Sequence, residues 1–139
     1  MLKIYTNSIF YRHDTGVDHP ERPGRIDAAV DGIGRAGLHD RLIHDVDVHP
    51  ETGRIIARVH SGEYERQLED AARAGYRFFH SIDNPISSAS FAAARAAVAT
   101  SLAIRIGEQI SRIPAVVVAY GPASADPNRD SSQRPAKWA

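Results

Sequence analysis

The run from Pro114 to Tyr120 (Pro-Ala-Val-Val-Val-Ala-Tyr) constrains the fold more than any other stretch of this chain. It is short, continuously apolar and rich in β-branched residues, so it reads as a strand covered on both faces. Such a strand belongs in a parallel sheet with helices on either side. The rest of the pattern agrees. Leu2 to Tyr5 alternates as an opening strand, and a helix follows from Pro23 or Gly24 with Ile26, Ala29, Val30 and Ile33 on one face and Gly37 as its C-cap. Leu42 to Val48 reads as a second strand, broken by the Pro50–Gly53 stretch. Thr52 is placed to cap a short helix carrying Ile55, Ile56 and Val59. A further helical face of Tyr64, Leu68 and Ala71 closes at Gly75. Tyr76 to Ile82 is aromatic and ambiguous, and Asp83-Asn84-Pro85 signals a turn. Ser87 or Ser88 is placed to cap the longest helix, about Ala89 to Ile110. Strands alternating with helices in this order argue an α/β layered domain with a largely parallel sheet.

Composition narrows the function classes. The chain has 139 residues, enough for one domain with a core of its own, and a formal net charge of zero. Zero net charge gives no support for a nucleic-acid or membrane-surface partner. The absence of cysteine removes disulfides and thiolate metal ligands. The opening residues are too short in apolar content for a signal peptide, and no run is long enough to span a bilayer, so a cytoplasmic protein is expected.

Ionisable residues concentrate in one place. Phe10 to Arg25 holds His13, Asp14, Asp18, His19, Glu21, Arg22 and Arg25, with Gly16, Pro20, Pro23 and Gly24 as chain breakers. Polar groups packed so densely into a loop serve binding or catalysis more readily than core packing. Within it, His19-Pro20-Glu21-Arg22-Pro23-Gly24-Arg25 resembles the His-Pro-Glu-Arg-Pro-x-Arg signature of zinc-dependent histone deacetylases and their bacterial relatives, the acetoin-utilisation and acetylpolyamine deacetylases. Three weaker features follow in the family's order: Val59-His60-Ser61 with Tyr64, then Asp83 to Ser88 leading into the alanine-rich helix with Phe91, then the strand through Val116.

The resemblance covers about residues 2 to 113 plus that strand and implies part of an arginase/deacetylase-like three-layer fold. On it, residues 1–120 are the N-terminal part of a deacetylase-like domain and 121–139 a divergent loop or disordered tail. Arg25 would line the internal cavity below the metal, Asp83 would be the rim aspartate that binds the substrate backbone, and His19 and Glu21 would shape the substrate side. Each has a plainer reading: Arg25 paired with Glu21 or Asp27, Asp83 forming a turn, His19 and Glu21 in a solvated loop. His60 and Tyr64 are expected to be packing groups.

The same resemblance locates what is missing. Family members carry a Pro-Pro-Gly-His-His-Ala segment after the strand, and its two histidines move protons beside the zinc. Here Ala123 and Ser124 stand at those positions. Neither exchanges a proton near neutral pH as imidazole does. The family's zinc ligands and carbonyl-polarising tyrosine come later than any residue of this chain. The expectation is therefore an acetyl-amide hydrolase relative that is inactive as an isolated chain, with no cofactor of its own although full-length members hold zinc. The alternative is a non-catalytic binding or self-association module whose uncovered sheet edge takes a second copy or a partner protein. Asp47 and His49 offer one more possibility. At i, i+2 on a strand they would share a face and reach one metal, though a third ligand is not identifiable.

Overall fold

The structure is a computed structural model and describes residues 2–111 and 115–117. The architecture is mixed α/β. Its centre is β1 (Lys3–Thr6), in which Ile4, Tyr5 and Thr6 are all buried. Successive strand residues point to opposite faces, so consecutive burial means that both faces of β1 are covered. Two strands flank it in parallel, β2 (Leu42–His44) and β5 (Ala115–Val117), giving the order β2-β1-β5. Ile4 stands opposite Leu42 on one side and Val116 on the other. Parallel neighbours need crossover connections. The first is α1 (Gly24–Arg35), and the second comprises α2 (Thr52–Ile56), α3 (Gly62–Arg73), a hairpin and α4 (Ser90–Ser111).

The long helix α4 is the element on which the others pack. Alanine is the best helix former and leaves room for close approach. Ser90, Ala93, Ala99 and Thr100 of α4 are completely buried. Against this small-residue surface sits Phe10, from a 3-10 turn at Ser8–Arg12 whose N-cap Asn7 accepts the Ile9 N–H at 3.0 Å. Phe10 packs with Ile26 of α1 and with Ala93 and Ala96, bordered by Ile9, Val30 and Ala97. A second cluster joins Tyr64, Leu68 and Ala71 of α3 to Phe79 and Ile86, with Phe91 beside them. The expected helical faces of α1 and α3 are therefore the ones that meet the core. Gly37 and Gly75 both adopt positive φ just beyond their helices, where a Cβ would be strained.

Four local expectations are corrected. β2 stops at His44, because Asp45 turns to φ +54°; its N–H still reaches the Thr6 carbonyl at 3.1 Å, and its carboxylate accepts the Ser8 N–H at 2.7 Å. Residues 45 to 49 are consequently not a strand. Thr52 is the first residue of α2, not its cap; Glu51 holds that position, and the buried Thr52 hydroxyl has no hydrogen-bond partner. Asp83-Asn84-Pro85 is not a turn. It lies in β4 (Ser81–Pro85), which pairs antiparallel with β3 (Phe78–Phe79). The reversal falls instead on His80, at φ +62°. Pro85 is tolerated because both strands of a two-stranded ribbon are edges. Finally, Ser87 stands ahead of α4, and its hydroxyl is spent on another segment.

Residues 118 to 139 lie outside the described residues, and with them Ala123, Ser124 and the boundary expected at residue 121. Among the described residues, no helix is long and apolar enough to cross a membrane.

Candidate functional site

The loop from His13 to Pro23 leaves the carboxyl end of β1 by way of the 3-10 turn and returns into α1. β1 is also where the sheet order reverses direction, with β2 on one side and β5 on the other. In open α/β sheets the crevice outside the carboxyl ends of the strands, at such a switch point, is where ligands bind.

The loop is held by its own hydrogen bonds. Gly16, at φ +96°, donates its N–H to the Asp14 carboxylate at 2.9 Å. The His19 N–H reaches the Gly16 carbonyl at 3.2 Å, and the Arg22 N–H reaches the His19 carbonyl at 3.2 Å. The Glu21 N–H donates to His19 Nδ1 at 3.1 Å, so this nitrogen is an acceptor. Arg22 donates from its guanidinium to the Val17 carbonyl at 2.9 Å. Arg25, in the first turn of α1, points back and bonds the Glu21 carboxylate at 2.5 Å and the Pro20 carbonyl at 3.4 Å. Both members of the Arg25–Glu21 pair are about half-exposed, which leaves them in reach of solvent and of any ligand on that face.

His13 is the buried member of the set. The residue is 3% exposed, and Nδ1 lies 2.7 Å from Ser90 Oγ at the start of α4. Burial pushes the imidazole below its ordinary 6.5; Asp14 and Glu21 pull it up, while His19 pushes it down. His19, Glu21 and Arg25 are joined through the Glu21 N–H and carboxylate, which for Arg25 is its plainer reading, the pairing with Glu21. Beside them, burial followed by Asp27 raises the Tyr11 phenol above its ordinary 10.0. That contact ties the 3-10 turn to α1.

Asp83 is in a different unit. It is exposed on β4, and its N–H donates to Ser81 Oγ at 3.2 Å. His60 and Tyr64 behave as packing groups: their rings stack at 5.2 Å, and Tyr64 is buried against Phe79. Sequence reading gave Ser87 only a capping role and did not single out Ser90. A serine three residues from another at a helix start is an ordinary capping signal. Nothing local reveals that its partners lie more than seventy positions earlier in the chain.

The zinc implied by the resemblance finds no donor set among the described residues, where no three carboxylate or imidazole groups come close enough to hold an ion. Asp47 and His49 do not share a strand face. His49 Nδ1 accepts the Glu51 N–H at 3.2 Å. Ser90 and His13 resemble a serine–histidine pair, but Ser90 is completely buried and has no room for a substrate.

No family model matches the chain. It is 34% identical over 101 residues to the uncharacterized protein slr0245 of Synechocystis sp., a match that covers 70% of this chain and 33% of that protein. The chain thus spans about a third of the length of the curated relative it matches.

Proposed function

We propose that this chain is the N-terminal portion of an acetyl-amide hydrolase domain of the histone deacetylase and acetylpolyamine deacetylase kind, acting in the cytoplasm. Its part is the substrate-side wall. The observation that carries this is the self-bonded loop of His19, Glu21 and Arg25 at the carboxyl end of the central parallel strand. The signature residues of that loop, the order of the later motifs and the mixed α/β architecture all support an arginase/deacetylase-like three-layer domain.

In this reading Arg25 faces the cavity through which acetate leaves, with Glu21 fixing the guanidinium. A charge-assisted hydrogen bond from the Arg25 guanidinium to the Glu21 carboxylate is a strong one, and an arginine already oriented by Glu21 needs little reorganisation to receive acetate. Asp83 is the rim aspartate, accepting a hydrogen bond from a substrate backbone. Its exposed position on β4 leaves the carboxylate available.

In the complete family, zinc supplies an activated water or hydroxide to the acetyl carbonyl. The described side chains do not make that site, and Ala123 and Ser124 replace the imidazoles that would move protons. The isolated chain is therefore proposed to be inactive. The test is release of acetate from an acetyl-lysine peptide and from an acetylpolyamine by the pure chain with added zinc. Turnover above the protein-free blank, abolished by a chelator, would refute the inactivity.

A second reading has its own observation. Tyr76 and Ile82 are 63% and 76% exposed around the hairpin, with Phe78 between them in sequence also exposed. Large apolar groups gathered on a two-stranded ribbon invite a partner or a second copy. Light scattering coupled to size exclusion decides: a monomer at all concentrations, unchanged by I82D, counts against self-association.

A further inference from the structure

The hydrogen bonds around His13 have a definite direction. Ser87 Oγ sits 3.1 Å from the Arg12 carbonyl, which can only accept, so the Ser87 hydroxyl proton goes there. Ser87 Oγ in turn accepts the Asp14 N–H at 3.2 Å. Ser90 Oγ accepts the Ser87 N–H at 2.7 Å. The Ser90 proton then has two places to go: Ser87 Oγ at 3.4 Å or His13 Nδ1 at 2.7 Å. The shorter contact wins, so His13 Nδ1 is an acceptor and the neutral ring carries its proton on Nε2.

We propose that neutral His13 is the positioning residue of the His13–Arg25 loop, tying it to the start of α4 through Ser90, and that protonation of the ring releases the loop. A proton on Nδ1 would face the Ser90 proton. To accept from the ring instead, Ser90 would have to turn its own proton toward Ser87 Oγ at 3.4 Å, exchanging a short bond for a long one, and a cation would remain in a buried site. The charged groups around the ring are Asp14, His19 and Glu21, all on the loop itself. Glu21 is already engaged by Arg25 of α1; the start of α4 meets the ring with the Ser90 hydroxyl, and Ser87, just ahead of α4, adds a second hydroxyl behind it. Among the described residues no carboxylate of α4 acts on the ring to receive an imidazolium, so acid opens the contact.

The proposal deepens the reading of this loop as a substrate-side wall, because a wall must be held still to select a substrate. Its test reads loop opening alone, so it succeeds or fails whatever the acetate-release assay gives. Amide hydrogen exchange of peptides spanning residues 13 to 22 is measured between about pH 7.5 and about pH 5, corrected for the intrinsic rate. Protection in the wild-type chain is expected to fall by roughly fivefold on acidification, the worth of one ordinary hydrogen bond. In His13→Asn the amide oxygen can stand where Nδ1 stood, and protection becomes independent of pH. Ser90→Ala loses protection already at neutral pH. A flat wild-type profile overturns the proposal, and so does His13→Asn retaining the wild-type pH dependence. Should Ser90→Ala not fold, the ring nitrogens of wild-type His13 decide by NMR: a proton on Nδ1 at neutral pH contradicts the latch, and one on Nε2 supports it.

Discussion

Replacing Phe10 by alanine removes the side chain that joins three elements at once. Phe10 is 1% exposed and is held between Ile26 of α1 and Ala93 and Ala96 of α4. Those neighbours cannot close the gap. The alanines have no atoms to move into it, and Ile26, 2% exposed, is already fixed on its own helix. A buried phenylalanine truncated where collapse is limited costs about 3–5 kcal/mol, the transfer term plus the cavity. Domains of this size hold about 5–15 kcal/mol in total, so the variant gives up roughly a fifth of its stability at the least and loses its fold at the lower end of that range. With a urea slope of about 2 kcal/mol per molar, the unfolding midpoint moves down by roughly 2 M. The assay is urea unfolding followed by tyrosine fluorescence and circular dichroism, with Val17→Ala as the control. Val17 is 77% exposed on the loop that follows this turn, and its truncation costs within about 0.5 kcal/mol. A Phe10→Ala cost below about 1 kcal/mol would refute the packing argument, because no buried aromatic with these neighbours is that cheap to remove.

Three further outcomes follow from named contacts. Ser61→Ala removes the hydroxyl that accepts the Tyr64 N–H at 3.1 Å, and should lower stability by about 1 kcal/mol, measured by denaturant titration, with Ser61→Asp restoring most of it. Because burial holds folded His13 below 6.5, the unfolded chain binds more protons between the folded value and 6.5. Stability there rises with pH: the His13 contribution is full above about 6.5 and is lost as pH falls through the folded value, which a melting series across that window detects and His13→Asn flattens. The Asp45 carboxylate is held below its ordinary 3.8 by the backbone N–H of Ser8, so its contribution has the same sign at still lower pH; Asp45→Asn, which keeps an acceptor at the positive φ, should remove this acid-limb dependence while folding normally.

The elements that sequence made legible are those whose signal is local. The faces of α1 and α3 follow from the spacing of Ile26, Val30, Tyr64 and Leu68, and their ends follow from Gly37 and Gly75. β1 and the self-bonded loop were legible for the same reason: alternation in one, breakers and dense charge in the other. Where the reading failed, a distant partner decided. Val46 and Val48 continue the alternation of β2, yet the backbone turns at Asp45, whose carboxylate is engaged by Ser8. Asp83-Asn84-Pro85 carries turn chemistry, but Phe78 lies opposite Pro85 and draws the segment into a ribbon. Ser87 has the credentials of a cap and instead holds Arg12 and Asp14. Within the candidate site, the Glu21–Arg25 pair was foreseeable from i, i+4 spacing on a helix start. The His13–Ser90 contact was not, since neither residue's neighbours in sequence announce the other.

The strand order has a consequence for how the protein is made. β1 is synthesised before the other described elements, and its second flank, β5, is the last of them: Lys3 pairs with Ala115. Pairing over so long a separation closes a large loop before it returns any stabilisation, and such topologies fold slowly. On the ribosome, the central strand can gain β2 early but must wait for almost the whole of the described chain before its other side is covered. During that interval Ile4 and Tyr5 expose an apolar ladder edge to every neighbouring nascent chain, so expression yield should depend on chaperone supply and on temperature more steeply than equilibrium stability alone would suggest.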